Sequence, residues 1–191
     1  MTATEESLAT QAKAGDRQAF EALVRLHKGP LYGFCRRYVG DADDAYDVVQ
    51  DAFAAAWTAL GRYDPRRPFG AWLRTIALNK CRDFGRRRTV RRLFLSAFER
   101  EEAHRSDPFG ADVAGDGQRD RLERLDREIA ALPPAYKEAL LLTTLGDLSQ
   151  QDAAATLGVS VKALEMRVYR AKRLLAARLG DPDVPPGSDA A

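Results

Sequence analysis

The residues with the clearest chemical potential lie in "LGVSVKALEMRVYRAKRLL", residues 157–175, which combines an apolar stripe with a row of Lys and Arg. Leu164, Val168 and Ala171 recur at helical spacing and predict the buried side of a helix. The predicted accessible positions are Ser160, Lys162, Ala163, Glu165, Met166, Arg167, Arg170 and Arg173. Arginine donates to guanine edges or phosphates, and glutamate accepts from the cytosine amino group. The segment therefore predicts a recognition helix for the DNA major groove, against the simpler alternative of a solvated amphipathic helix.

A second basic group occupies residues 62–92, where only Asp64 and Asp83 oppose the positive charge. Its cations are Arg62, Arg66, Arg67, Arg74, Lys80, Arg82, Arg86, Arg87, Arg88, Arg91 and Arg92. Aromatic residues are interleaved with them, and single-stranded DNA is bound by phosphate neutralisation together with ring stacking, at ~1–3 kcal/mol per base. Phe69 and Trp72 are predicted to be core residues, whereas Tyr63 and the loop arginines are predicted to contact a strand.

An acidic helix face lies in the same part of the chain, formed by Asp44, Asp47, Gln50 and Asp51. Residues 41–60 contain no Lys or Arg, whereas a merely solvated face normally mixes both signs. Its charge has the wrong sign for DNA, so it predicts a protein partner that carries basic residues. The wider set of Asp41, Asp43, Asp44, Asp47 and Asp51 is scattered around the helix, which disfavours a Mg²⁺ site and hence a nucleic-acid-processing enzyme.

Helices must position all of these side chains, because helical periodicity dominates the chain and no strand-like alternation persists. Asp16 is expected to cap a first helix, which Gly29 and Pro30 interrupt. Pro30 is then either the first residue of a second helix or the site of a kink.

The C-terminal part of the chain has the pattern of a helix-turn-helix. Ser149 and Ser160 are expected to cap its two helices, and Gly158 permits the tight turn between them. The predicted fold class is all-α, with two small helical domains joined by a flexible linker. The expected boundaries are 10–92 for the first domain, 93–121 for the acidic linker, 122–180 for the helix-turn-helix domain and 181–191 for a disordered tail.

Composition excludes several classes of protein. Apolar residues make up 45% of the chain, enough for a core, and the formal net charge is only +2. The two cysteines, Cys35 and Cys81, stand far apart in sequence and are expected to be core thiols, so neither a zinc site nor a disulfide framework is predicted. The chain has no HExxH, P-loop or serine-centred elbow, and no cofactor is expected. The acidic N-terminus has no apolar core of a signal peptide, so a soluble, cytoplasmic protein without membrane insertion is predicted.

Three segments, in this order, resemble an extracytoplasmic-function sigma factor of the bacterial sigma-seventy family. "DAYDVVQDAFAAAW" is similar to the segment that grips the clamp helices of RNA polymerase. "RPFGAWLRTIALNKCRDFGRRR" resembles the segment that melts and reads the −10 element. "LPPAYKEALLLTTLGDLSQQDAAATLGVSVKALEMRVYRAKRLL" resembles the −35-reading domain. "RPFGAWL" and "VSVKALE" are also similar to sigma factors of the cobalt–nickel resistance type.

The resemblance implies a promoter-specificity subunit that binds core polymerase, promoter DNA and an anti-sigma factor. Contacts to core polymerase would come from Asp44, Asp47, Gln50 and Asp51. The loop at residues 62–68 would capture a flipped base, and contacts to the melted −10 element would come from Arg62, Tyr63, Arg66, Arg67, Arg74, Asn79, Lys80, Arg82, Arg86 and Arg87. The −35 duplex would face the accessible residues of the recognition helix. A stand-alone helix-turn-helix regulator is the alternative, although it leaves the basic aromatic segment unexplained.

The chain departs from the family pattern at the recognition helix. Many relatives carry Arg-Ser-Arg where this chain has Glu165, Met166 and Arg167. A glutamate in place of an arginine removes a guanine or phosphate contact and adds an acceptor. The −35 sequence of a relative therefore cannot be transferred to this chain.

Overall fold

The computed structural model describes residues 3–95, 116–145 and 148–180, which contain helices and no strand. These helices fall into two compact units, α1–α4 and α5–α8. The all-α class is therefore confirmed. The helices are α1 (Ala3–Lys13), α2 (Arg17–Val39), α3 (Ala42–Ala59), α4 (Phe69–Leu95), α5 (Asp116–Ala130), α6 (Pro134–Thr144), α7 (Gln150–Leu157) and α8 (Val161–Leu179), with a 3-10 turn at Leu60–Arg62.

The first helix of the predicted pair is not interrupted, because α2 continues through Pro30. Asp16 caps it as expected, accepting hydrogen bonds from the backbone N–H groups of Gln18 and Ala19 at 2.8 and 3.2 Å. A proline inside a helix costs ~3 kcal/mol or more. Residues on both sides of Pro30, including Leu23 and Leu31, are fully or almost fully buried. Burial of each such side chain contributes ~1.5–3 kcal/mol, so the sum outweighs the cost of the proline.

Helix α1 is absent from the sequence-based prediction, which began the first domain near residue 10. Its inward face consists of the small residues Ala9 and Ala12, which are 0% and 1% exposed. Alanine carries little hydrophobic signal, so the segment shows no clear apolar stripe. Gly15, at φ 99°, turns the chain between α1 and α2.

Cys35 of α2 and Cys81 of α4 are fully buried free thiols with their Sγ atoms 3.9 Å apart. The side-chain hydrogen bond with Cys81, followed by burial, raises the pKa of Cys35 well above its ordinary value. Thiolate is the reactive form of cysteine.

We therefore expect both thiols to resist a thiol reagent such as DTNB in the native protein and to react fully in guanidinium chloride. Absorbance at 412 nm follows the release of the coloured product. Rapid labelling under native conditions would contradict the burial of these two side chains.

Helix α5 begins at Asp116, within the segment that the sequence analysis assigned to the linker up to residue 121. The helix is mostly charged, and residues 120–124, including Leu122, are exposed, so the sequence has no apolar stripe there. Residues 96–115 and the predicted tail at 181–191 lie outside the described residues. No helix in the described ranges is long and apolar enough to cross a membrane.

Candidate nucleic-acid interface

The recognition helix α8 is fixed by its caps and its turn. Gly158 adopts the left-handed conformation at φ 65°, and the Ser160 side chain accepts a hydrogen bond from the Ala163 N–H at 3.2 Å. Ser149 caps α7 in the same way, through the Asp152 N–H at 3.1 Å. Leu164 is fully buried and holds α8 against the unit. The helix-turn-helix geometry predicted from the sequence is therefore present.

The predicted duplex-facing residues lie on the accessible side of α8. Five of them are exposed, namely Lys162, Glu165, Met166, Arg170 and Arg173, and two are half-buried, Ala163 and Arg167. Ser160 is also exposed, and its hydroxyl serves as the cap. One turn of helix therefore presents donors and an acceptor together, as base reading requires.

Sequence reasoning missed Tyr169 and Lys172 on the same face of α8. Tyr169 is 41% exposed, and both residues border a cavity of about 240 Å³ beside Glu165. The spacing i, i+4, i+7 from Glu165 places all three on one side of a helix and could have identified them. The side chain of Arg170 reaches back over this unit, with its Nη1 3.5 Å from the Tyr136 hydroxyl.

Tyr63 lies in the interior of the first unit. Its side chain is fully buried, and its ring centroid lies 5.5 Å from that of Phe69 and 5.0 Å from that of Trp72. Its hydroxyl donates a hydrogen bond to the Arg67 carbonyl at 2.5 Å. Burial is the main cause that raises the pKa of Tyr63 to about 12, and the negative charge of the nearby Glu5 is the second. The hydroxyl is therefore a hydrogen-bond donor at neutral pH. This ring is the inner support of the loop, and its burial does not favour the strand contact predicted for Tyr63, which stays a prediction.

The arginines of the same loop do face solvent. Arg62, Arg66 and Arg67 are exposed, and the Arg66 side chain keeps 90% of its surface accessible. Asp64 accepts hydrogen bonds from the Arg66 backbone and side chain at 3.1 Å, which lowers the pKa of Asp64. The loop is therefore an ordered turn that displays cationic groups.

Arg74 of α4 is buried as well. It is 5% exposed, because its position on α4 is shared with Leu78 and Cys81, at i+4 and i+7, which are fully buried. The burial of this side chain does not favour a contact with a DNA phosphate, and the assignment of Arg74 to the −10 element stays a prediction.

The other residues of α4 predicted to contact the −10 element are accessible to different degrees. Asn79, Arg86 and Arg87 are exposed, whereas Lys80 and Arg82 are half-buried, in agreement with an outward-facing basic helix. The Asn79 side-chain oxygen accepts a hydrogen bond from Arg82 at 3.4 Å, and Arg86 pairs with Asp83. These bonds order the basic face before any strand binds.

The acidic face of α3 borders the basic face of α4. A groove of about 470 Å³ is lined by Asp47, Gln50 and Asp51 of α3 and by Lys80 and Arg87 of α4. Asp47, Gln50 and Asp51 are exposed. The two surfaces that the sequence assigned to different partners are therefore continuous.

Asp44 is the least accessible of the four residues of the acidic face. Arg88 of α4 approaches it, with Nη1 3.8 Å from the carboxylate. Burial, followed by the charge of Asp41, raises the pKa of Asp44. The cation at Arg88 acts in the opposite direction, so the fold partly compensates the crowding of carboxylates on α3.

Comparisons with known proteins match both units. Residues 23–92 match Sigma-70 region 2, and residues 122–175 match Sigma-70 region 4. The chain is 40% identical to the RNA polymerase sigma factor CnrH of Cupriavidus metallidurans, over 90% of this chain and 92% of that protein. It is 37% identical to the RNA polymerase sigma factor NccH of Alcaligenes xylosoxydans xylosoxydans, over 92% of this chain and 94% of that protein.

Two solved structures are also similar. The structure of CnrH in complex with the cytosolic domain of CnrY has a TM-score of 0.67 and 38% sequence identity, and covers 93% of this chain and 97% of that chain. The sigma factor RpoE in complex with the anti-sigma factor NepR, from Bartonella quintana, has a TM-score of 0.69 and 25% identity, with 86% and 98% covered.

Proposed function

Because the chain belongs to the sigma-70 family and is an extracytoplasmic-function RNA polymerase sigma factor, we propose that its two units divide promoter recognition between separated strands and intact duplex. The family resemblance seen in the sequence is confirmed, and so is the similarity to sigma factors of the cobalt–nickel resistance type. The alternative of a stand-alone helix-turn-helix regulator is not favoured, since such a regulator has no need of a region 2 unit.

The first unit binds the melted −10 element in this proposal. The observation that carries it is the ordered loop at residues 62–68, which keeps Arg66 and Arg67 outside while Tyr63 closes it from within. A flipped base can lie against this loop, and the strand then follows the exposed cations of α4. Unstacking costs a few kcal/mol per flipped base, which binding of the exposed base offsets.

The second unit reads the −35 duplex with α8. Arg167 and Arg170 donate to guanine edges or phosphates, and Glu165 accepts from a cytosine. Each unit alone binds weakly, and attachment of both to one polymerase raises the effective concentration of the second contact.

The acidic face of α3 binds core polymerase. Asp47, Gln50 and Asp51 are accessible and adjoin the α4 cations, so a basic surface of the polymerase can occupy one side of the groove while DNA follows the other. The chemistry of RNA synthesis belongs to the polymerase, and this chain acts as a DNA-binding initiation factor where that enzyme works, in the cytoplasm.

An anti-sigma factor is the third proposed partner. The structures of two similar sigma factors were determined with CnrY and with the anti-sigma factor NepR. A partner of this kind would occlude the surfaces that contact polymerase and DNA.

The proposal is tested with the triple variant Arg66→Ala/Arg67→Ala/Asn79→Ala. A promoter is first identified by run-off transcription with core polymerase on genomic fragments. Permanganate reactivity of unpaired thymines then measures strand opening, which is expected to fall at least tenfold, because a hydrogen bond to a charged group contributes ~1.5–3 kcal/mol. Arg17→Ala/Arg25→Ala, which removes two exposed arginines of α2, serves as the control. Undiminished opening by the triple variant would refute the role of the loop.

A further inference from the structure

Helix α1 reaches the loop at residues 62–68 through its last turn. The Lys13 ammonium donates a hydrogen bond to the Tyr63 carbonyl at 2.6 Å, across fifty positions of sequence. This helix lies before the stretch matched by Sigma-70 region 2, which begins at residue 23. The contact therefore comes from outside the segment to which promoter melting was assigned.

The rest of α1 is packed against the unit, so the Lys13 bond can hold the loop in place. Ala9 and Ala12 are buried against the unit, so the helix approaches closely. The Glu5 carboxylate lies 3.2 Å from Nε2 of His27 on α2, and both side chains are largely buried. Lys13 thus extends from a helix that is held at its beginning and along its inner face.

Tyr63 is the residue on which the loop depends. Its N–H donates to the Leu60 carbonyl at 3.0 Å, its hydroxyl donates to the Arg67 carbonyl at 2.5 Å, and its own carbonyl accepts from Lys13. The Arg67 N–H closes the turn onto the Asp64 carbonyl at 3.0 Å. The Lys13 bond ties this turn to another helix by way of a charged donor, and such bonds are about twice as strong as neutral ones.

The charge of Lys13 is also felt within the loop. Hydrogen bonds from Arg66 are the main cause that lowers the pKa of Asp64, and the Lys13 cation contributes in the same direction. Lys13 therefore acts on the first part of the turn that presents Arg66 and Arg67. It binds the Tyr63 carbonyl and attracts the Asp64 carboxylate.

We propose that Lys13 is a positioning residue for base capture, fixing the Tyr63 carbonyl so that the loop holds one shape before a base arrives. This inference rests on the proposed function of the loop. An anchored loop discriminates among bases because a misfitting base cannot be accommodated by a shift of the backbone. Without the anchor, the loop adapts to each base and selectivity falls.

The test uses Lys13→Ala in the full chain bound to core polymerase. Four versions of an identified promoter differ only at the flipped base, and each is also prepared as a pre-melted bubble. We expect the preference for the correct base over the others to fall about tenfold on both templates, the effect of one hydrogen bond to a charged group. Lys13→Arg, which keeps a cationic donor, is expected to restore most of the preference.

The matched control is Gln11→Ala, an exposed residue of α1 whose side-chain amide donates to Ser7 of the same helix. It is expected to leave the base preference unchanged. An equal loss with all four bases would overturn the proposal and assign Lys13 to a phosphate instead, and an unchanged preference would overturn it outright. If Lys13→Ala is neutral while the triple loop variant abolishes opening, the positioning role fails alone. If the triple variant is also neutral, the function proposed for the loop fails.

Discussion

Asp51→Lys is expected to weaken binding of the protein to core RNA polymerase by about a hundredfold, ~2.7 kcal/mol. Asp51 is exposed on α3, one turn beyond Asp47, on a face without basic residues. A lysine there removes an attraction and places a like charge against a basic partner, and such juxtaposition costs several kcal/mol. Anisotropy of a fluorescently labelled protein titrated with core polymerase measures the affinity.

The matched control for this reversal is Glu21→Lys. Glu21 is an exposed acidic residue of α2 outside the groove, and its reversal changes the net charge by the same amount. If the two variants bound equally weakly, net charge rather than the α3 face would control the affinity. If Asp51→Lys bound normally, the polymerase contact would have to lie elsewhere on the unit.

The acidic face also has a cost within the protein itself. Carboxylates crowd one helix, and the raised pKa of Asp44 shows that its ionised form is disfavoured in the fold. This site gains stability as the pH falls through the folded pKa, the opposite of a well-paired aspartate. A face that opposes folding in this way is consistent with a surface kept for a partner.

The sequence predicted those elements in which several local signals coincide. The helix-turn-helix combines two serine caps, a glycine turn and an apolar stripe, and each of these signals has a local physical cause. Helix α3 has an unbroken apolar repeat and was predicted for the same reason. The accessible positions on α8 could be predicted as well, because the apolar stripe determines which side of the helix faces the core.

The sequence is a weaker guide where long-range packing decides the outcome. Pro30 remains helical because tertiary burial on both sides outweighs a local penalty. The aromatic ring of Tyr63 serves a core equally well as a stacking surface, and its sequence position cannot distinguish the two. Arg74 is buried because of how α4 is rotated about its own axis. The apolar residues of α4 are too sparse to predict that rotation from the sequence. The Lys13 contact joins distant segments and has no local signal at all.

The second large effect is expected on the duplex side. Arg167→Ala should weaken binding of the polymerase-bound protein to a −35 duplex by ~1–3 kcal/mol, roughly ten- to a hundredfold, which is typical of one arginine that contacts a guanine. Arg167 stands on the first half of α8, where a recognition helix meets base edges. Competition between promoter fragments mutated at single −35 positions gives the affinity.

The pattern across those fragments identifies what Arg167 touches. A base contact makes the loss disappear at the one position where the fragment already carries the wrong base pair, whereas a phosphate contact weakens all sequences equally and lowers the salt slope by about 1. Arg178→Ala is the control, since Arg178 lies near the far end of the same helix and pairs with Glu128 at 3.5 Å. If Arg178→Ala were as damaging as Arg167→Ala, general charge on α8 would explain the binding. If neither variant had an effect, α8 would not be the reading helix, and the division between the two units would have to be abandoned.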